Sequence, residues 1–292
     1  MTQSEVASDA APEDRDADTA ASLTGPLKPR TDSARFFETS YRLRTDTVDQ
    51  DMRLRLDGVA RFLQDIANEN IAATVFADTD PYWIIRRTVI DVVDPISWPG
   101  TVTLQRWCSA LSTRWTSMRV SVSAEHETNR FNPGARPAGR IESEAFWINV
   151  NEQGLPSRLT DQAFEFLGAG TDEHRLRWKT MNPAPVPSAA ESDRIHQLRI
   201  TDFDPFKHVN NAASWEAIEE ELLEHRDLIA GRYRAVIEYL RPIGYGTTDH
   251  LITIRRRRVD DQLRVWMIVD KDGTEQVAST VTITTLPAGY YD

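Results

Sequence analysis

From residue 36 onward the chain runs in short stretches of alternating apolar and polar residues, interrupted twice by a helical period. Phe36-Phe37-Glu38-Thr39-Ser40-Tyr41-Arg42-Leu43 opens the alternation. Over 56–73, Val59, Phe62, Leu63, Ile66 and Asn70 recur at three- and four-residue spacing. That spacing predicts a helix with one buried face, and Asp57 falls near its N-terminus, where a carboxylate favours the helix dipole. Segments 82–93, 101–111, 118–124 and 141–150 follow. Each is rich in Val, Ile, Thr or Trp, is bounded by Pro, Gly or polar clusters, and predicts a strand. The stretch 126–139, with Asn132-Pro133-Gly134 inside it, predicts a long connection between two of these strands.

Periodicity is lost from 167 to 193, where Pro183, Pro185 and Pro187 alternate with Ala and Val and favour an extended connector. Beyond it the same order returns: a strand at 195–200, a helix from about 212 to 229, and strands at 232–239, 250–259, 262–271 and 276–285. A strand, then a helix, then several strands, written twice, is an internal structural repeat, and it predicts an α+β chain of two similar halves. Residues 1–34 are rich in Ala, Asp, Ser, Thr and Pro and nearly free of large apolar residues. They bury too little surface to offset chain entropy and read as a disordered tail. The expected division is a tail at 1–34, a first unit at 35–166, a linker at 167–194 and a second unit at 195–287.

Composition narrows the function. A chain of 292 residues has room for two modest domains. A formal net charge of −11 argues against a general nucleic-acid binder, which needs a cationic surface. No stretch approaches the roughly 20 apolar residues of a membrane span, and no basic segment followed by an apolar run opens the chain, so a cytoplasmic protein is expected. The single cysteine, Cys108, lies in a strand pattern and reads as a small buried hydrophobe; alone it forms neither an internal disulfide nor a thiolate metal site. Six scattered histidines show no ligand spacing, and no Gly-rich loop follows a strand, so neither metal nor nucleotide cofactor is expected.

The acidic average hides local basic clusters at Arg86-Arg87, Arg114 and Arg255-Arg256-Arg257-Arg258. In a strand, alternate arginines of that run face opposite sides. One pair suits bidentate contact with a partner's carboxylates or phosphate, and the other reading is intrachain pairing with Asp260, Asp261 or Glu238. Glu219-Glu220-Glu221 is expected on the solvated face of the second helix, with Trp215, Ile218 and Leu222 on its apolar side.

The densest candidate chemistry is Thr201-Asp202-Phe203-Asp204-Pro205-Phe206-Lys207-His208-Val209-Asn210-Asn211, which runs into the second helix. It sets a carboxylate and an imidazole four residues apart at a helix mouth. Asp204 can serve as general base or nucleophile. His208, whose ordinary pKa is near neutrality, can orient a water, donate to a carbonyl or protonate a leaving group. N–H groups at the helix start, around Asn210 to Ala213, point outward with the positive end of the dipole behind them and form a candidate oxyanion site. Asp202 points away from Asp204 in an extended segment, and Asn210 and Asn211 read as turn and cap residues that support the loop. The plainer alternative makes Asp204 a carboxylate that caps its own turn and His208 a ring bound to its own loop.

This run resembles the Asp-x-Asp-x-x-x-His-Val-Asn-Asn run of the acyl-acyl-carrier-protein (acyl-ACP) thioesterases, where it opens the central helix of the second hot-dog unit. The first half is similar to the same family over 36–159, through Tyr82-Trp83-Ile84-Ile85-Arg86-Arg87, Pro99-Gly100 before Thr101-Val102-Thr103-Leu104, and Ser143-Glu144-Ala145-Phe146-Trp147-Ile148-Asn149-Val150. The resemblance implies a tandem (double) hot-dog fold, each unit an antiparallel sheet wrapped around a central helix. It also implies hydrolysis of fatty acyl thioesters of acyl carrier protein, or of CoA, in fatty-acid metabolism, with Asp204 and His208 catalytic. The first unit would then form the acyl tunnel, for which Val59, Phe62, Leu63, Ile66, Trp83 and Ile85 are candidates. Two departures stand out: Phe206 where the plant enzymes carry Asn, and Leu240-Arg241-Pro242-Ile243-Gly244 where they carry a Glu-Cys pair. Two other readings compete, a non-catalytic hot-dog protein that binds acyl thioesters and an enoyl-thioester hydratase. The hydratase motif resembles Asp-x-Asn-Pro-x-His, and Asp202 to His208 has Asp204 for its Asn and one residue too many. Carrier preference, chain length and pairing of two chains into a homodimer are left open by the sequence.

Overall fold

The computed structural model describes residues 25–32, 34–188, 193–246 and 250–292. Strand β1 (Phe37–Arg42) leads to helix α1 (Leu56–Ala72), then to β2 (Trp83–Asp94), β3 (Gly100–Leu111), β4 (Trp115–His126) and β5 (Gly139–Asn149). A short helix α2 (Asp161–Gly168) precedes the second half, which contains β6 (Arg194–Gln197), helix α3 (Asn211–Leu222), β7 (Tyr233–Tyr239), β8 (Leu251–Val259), β9 (Gln262–Lys271) and β10 (Thr274–Thr285).

The ten strands form one sheet in the order β1-β3-β4-β5-β2-β7-β10-β9-β8-β6. Read from its outer edge, each half has the same order, because β6-β8-β9-β10-β7 repeats β1-β3-β4-β5-β2. Every pairing is antiparallel, and the halves join where β2 meets β7, from Arg87 opposite Glu238 to Val92 opposite Tyr233. This is the α+β tandem hot-dog arrangement, with the repeat joined through a continuous ladder.

Strand alternation sends one face of each half towards its helix. Phe62 and Ile66 of α1 and Trp215 and Ile218 of α3 are buried with Leu104, Val122, Ile237 and Val265 in a single core. The helices run antiparallel against each other: the Leu56 N–H donates to Glu219 Oε1 (2.6 Å), and Gln64 Nε2 donates to Asn210 Oδ1 (3.0 Å). That contact corrects the solvated reading of the glutamate run. Glu219 also accepts from Arg53 (2.7 Å), and fully buried Glu221 pairs with Arg194 and Arg256, so two of the three carboxylates lie inside. A helix packed on both a sheet and a second helix has only one narrow solvated stripe left.

The outer face of the central strands is covered as well. Arg87 donates to the Lys179 carbonyl (2.7 Å), Thr180 and the Met181 N–H donate to Glu238, and Asn182 Nδ2 donates to the carbonyls of Val236 and Thr280. Trp178 packs edge-on against Phe146 with centroids 5.1 Å apart. The Pro-rich connector is thus a strap pinned along the seam between the halves. The N-terminal segment corrects the tail expectation in part: residues 1–24 lie outside the described residues, but the Leu27 N–H donates to the Tyr291 hydroxyl and Arg234 donates to the Gly25 carbonyl. Extended backbone with unsatisfied polar groups docks where buried side chains offer it partners. Helix α2 falls in a stretch for which the sequence predicts no element; Thr160 caps it by accepting from the Ala163 N–H (3.2 Å).

Candidate active site

The Asp204–His208 loop is a tight reversal. Phe203 bridges Val209, the Asp204 N–H donates to the His208 carbonyl (2.8 Å), and Lys207 adopts a positive φ of 62°. Its outer side is tied to the loop after β7, since the Tyr245 N–H donates to the Lys207 carbonyl and the Val209 N–H to the Ile243 carbonyl, each at 2.8 Å. Asp204 Oδ1 accepts from the N–H groups of Phe206 (2.9 Å) and His208 (3.0 Å), which fixes the carboxylate beside the histidine backbone. Its Oδ2 accepts no hydrogen bond among the described residues. Asp204 is half-buried, His208 is exposed, and Phe206, at 76 % exposure, projects into solvent and leaves no amide at that place. Asp202 is buried and serves structure: it accepts from the backbone N–H and the guanidinium of Arg199.

Asn210 caps α3 by accepting from the Ala212 N–H (2.8 Å), and its own N–H donates to the Asp202 carbonyl (2.8 Å), so the expected set of free helix-start donors is smaller by two. Asn211, the first helical residue, and Trp215, one turn on, share a face. Both line a cavity with Gln64, Leu63 and Ile85, bounded by Thr88 and Tyr239 at the seam and by Arg106 and Met118 deeper in the first half. Its volume is about 30 Å³, space for a water or two. A longer guest needs Leu63, Ile85 and Met118 to give way.

Of the six candidate tunnel residues, Leu63 and Ile85 line this cavity. Val59, Phe62 and Ile66 are buried in the main core, where Phe62 stacks on Tyr41. Trp83 packs on a separate cluster around Phe76 and Leu159 and donates to the Asp80 carbonyl (2.7 Å). The bulge in β2 between Ile85 and Arg87 shifts the alternation there, which separates Ile85 from the residues after it.

Sequence reasoning missed the polar groups of this cavity. Trp215 Nε1 and the Tyr239 hydroxyl are both buried and make no well-formed hydrogen bond among the described residues, although Trp215 and Thr88 lie close enough to the Tyr239 oxygen to interact with it. Burial pushes the Tyr239 phenol upward, so its oxygen keeps its proton and is a donor. Buried polar groups with such poorly formed hydrogen bonds are costly to the fold and leave room for a better partner. The signal was too weak in sequence, because Trp215 sits in an apolar helical stripe and Tyr239 ends a strand.

The other candidate groups have structural partners. Cys108 is buried, donates to the Ala110 carbonyl, and is pushed up to about 12 by burial. The arginine run is paired within the chain: Arg255 with Asp193 and Glu275, Arg256 with Glu221 and Glu224, Arg258 with Asp227. These carboxylates come from β10, α3 and the segments flanking β6 and β7, not from Asp260, Asp261 or Glu238. Among the described residues no group of His, Cys, Asp and Glu is arranged to hold a metal ion, and no helix is long and apolar enough to cross a membrane.

Comparison with known proteins places this geometry. The model of the acyl-ACP thioesterase N-terminal domain matches residues 34–154, and that of the C-terminal domain matches 187–284. The uncharacterized protein Rv2001 of Mycobacterium tuberculosis (strain ATCC 25618 / H37Rv) is 42 % identical over 247 residues, covering 84 % of this chain and 92 % of that protein. An acyl-ACP thioesterase from Bacteroides thetaiotaomicron superposes with a TM-score of 0.61 at 15 % identity, over 85 % of this chain and 97 % of its own. The 12:0-ACP thioesterase from Umbellularia californica gives 0.59 at 15 % identity, over 85 % and 93 %. These two likenesses establish the fold.

Proposed function

Because the chain belongs to the acyl-ACP thioesterase family, we propose that it hydrolyses fatty acyl thioesters carried on acyl carrier protein, with the thioester held at the N-terminal end of α3. The observation that carries this reading is the cavity wall itself. Two buried groups without well-formed hydrogen bonds, Trp215 Nε1 and the Tyr239 hydroxyl, belong to residues that line a space reaching Asn211, three residues beyond His208. A thioester carbonyl supplies the missing acceptor, and the acyl chain follows Leu63 and Ile85 into the first half.

Asp204 acts on water in this scheme. Its Oδ1 is held by two N–H groups, which leaves Oδ2 to take a proton as the water oxygen adds to the carbonyl carbon. The tetrahedral oxyanion is stabilised by donors at the start of α3. Its collapse breaks the C–S bond, the thiolate takes a proton from His208, and the proton that Asp204 took from water replaces it on His208, giving free acid and carrier thiol.

Incubating the purified protein with acyl-ACP and matched acyl-CoA thioesters of graded length is expected to release free acid and free thiol in equal amounts, faster from the carrier protein. Tight binding of these thioesters without release would establish the binding-only alternative. Conversion of trans-2-enoyl thioesters to hydroxyacyl thioesters would establish the hydratase instead.

Tyr239→Phe separates a substrate donor from a structural one. The hydroxyl makes no well-formed bond in the resting protein, so its loss should leave the melting temperature unchanged or slightly raised. It should lower kcat/KM by about tenfold, the loss of one hydrogen bond to the reacting carbonyl. A fall in stability with unchanged kinetics would remove Tyr239 from the site.

A further inference from the structure

The cavity beside α3 has a second space on the far side of two of its lining residues. Arg106 and Met118 at its inner end also line a second pocket of about 510 Å³, which lies at the C-terminal end of α1 between Asn70 and Phe166. Arg106 is in the middle of β3, opposite Phe37 on one neighbouring strand and Val120 on the other. Alternation puts it on the same sheet face as Leu104 and Cys108, which is the face turned to the helix. Only 7 % of the residue is exposed. Among the described residues its hydrogen-bond partner is the neutral Asn70 side chain, and no carboxylate pairs with it.

That solitude is unusual in this chain. Buried Arg119 has Glu142 at 2.7 Å, Arg234 has Asp91 at 2.6 Å, and Arg255 has Asp193 at 2.7 Å. Removal from water draws the Arg106 guanidinium down to about 10, and the neighbour that opposes this is the Cys108 thiol rather than a carboxylate. A buried cation with one neutral partner destabilises the fold relative to an apolar side chain of its size. The outer pocket supplies a direction for the missing anion. Arg30 and Arg35 stand on its rim, over the rings of Phe36 (4.2 Å) and Phe166 (5.7 Å), against one acidic rim residue, Asp32. In a chain of net charge −11 this is a local excess of positive charge, and Phe37, Met118, Phe166 and Leu167 give the pocket an apolar part beside the polar Asn70 and Thr74.

We propose that Arg106 anchors a carboxylate subsite: the outer pocket takes a linear hydrophobic carboxylic acid, its acid group paired with the guanidinium and its hydrocarbon along the apolar walls. The same carboxylate can come from two sources. One is a free acid that enters through the outer pocket. The other is the far end of an acyl chain bearing a terminal carboxyl group and entering from the α3 side, and only this source rests on the proposed hydrolysis.

The test is direct binding to the full chain, measured by calorimetry and by fluorescence of the tryptophans. Decanoate should bind the wild type about tenfold to a hundredfold more tightly than decanol, the range for a charge-assisted hydrogen bond. Arg106→Met should abolish that preference while melting no lower than the wild type, because an apolar residue replaces an unpaired buried cation. Arg106→Lys, which keeps the charge without the planar fork, should retain part of it. Equal binding of acid and alcohol by the wild type, or a preference that survives in Arg106→Met, would overturn the proposal. Comparing a ten-carbon ω-carboxyacyl-CoA with decanoyl-CoA identifies the source. A wild-type kcat/KM preference for the former, lost in Arg106→Met, assigns the carboxylate to the substrate; decanoate binding without it assigns a free acid. A protein inactive towards every thioester still yields the binding result, so failure of the hydrolase reading and failure of the subsite are separable.

Discussion

Asp204→Asn should lower kcat for thioester hydrolysis by about a hundredfold to ten-thousandfold, the contribution of a positioned general base, with KM little changed. Asparagine is the informative replacement because of what Asp204 does in its own loop. Its Oδ1 accepts from the N–H groups of Phe206 and His208, and an asparagine carbonyl oxygen accepts both bonds equally well. The turn is kept while the proton acceptor is lost. Asp204→Ala removes both functions and should be at least as slow, with a small additional fall in melting temperature from the two freed N–H groups of a partly solvated loop. The pair of variants therefore decides between two roles. If Asp204→Asn retains near wild-type turnover and Asp204→Ala does not, Asp204 only shapes the turn and the base lies elsewhere. If both are inactive with similar melting curves, the carboxylate itself is required.

The parts of this molecule legible in sequence are those written in local periodicity. The spacing of Val59, Phe62 and Ile66 gives α1 because burial of one helical face repeats every three to four residues, and the Val- and Thr-rich runs give the strands for the corresponding reason at period two. The repeat of order was readable too, since two copies of one fold need the same sequence of elements. Helix α2 escaped because eight residues hold barely two turns, although Thr160 before Asp161 is a recognisable cap. The buried Glu219 and Glu221 escaped for a different reason. Their partners Arg53 and Arg256 are 166 and 35 residues away, and three successive glutamates look solvated until a second helix is laid against them. The cavity was the least readable feature, because Thr88, Tyr239 and Trp215 meet only where the two halves join. Arg106 is an intermediate case. Its place between Leu104 and Cys108 in a strand already implies an inward-facing cation, although nothing local in sequence shows that a counter-ion is missing.

The second large effect is on stability, at the seam between the halves. Asp91 and Arg234 lie directly opposite each other across β2 and β7, and the carboxylate takes both Nε and Nη2 of the guanidinium at 2.6 Å. Neither is more than 4 % exposed, and Tyr291 also donates to Asp91. Deleting one member of such a pair leaves the other charge inside without its counter-ion, so Asp91→Ala should cost about 3–5 kcal/mol. For a chain of this size that is a fall of about 5–8 °C in melting temperature. Because the pair is out of reach of screening ions, the loss should be nearly independent of salt between 0.05 and 0.5 M. Replacing both partners by apolar residues of similar volume, Asp91→Leu with Arg234→Met, should recover much of the stability, since no orphan charge is left. A single-variant cost below 1 kcal/mol would mean that water reaches the seam. The consequence extends to the site, because β2 and β7 carry Thr88 and Tyr239 on their opposite face. A seam that opens moves those two residues apart, so kcat/KM in Asp91→Ala should fall at temperatures well below its melting midpoint, and the double replacement should restore activity along with stability.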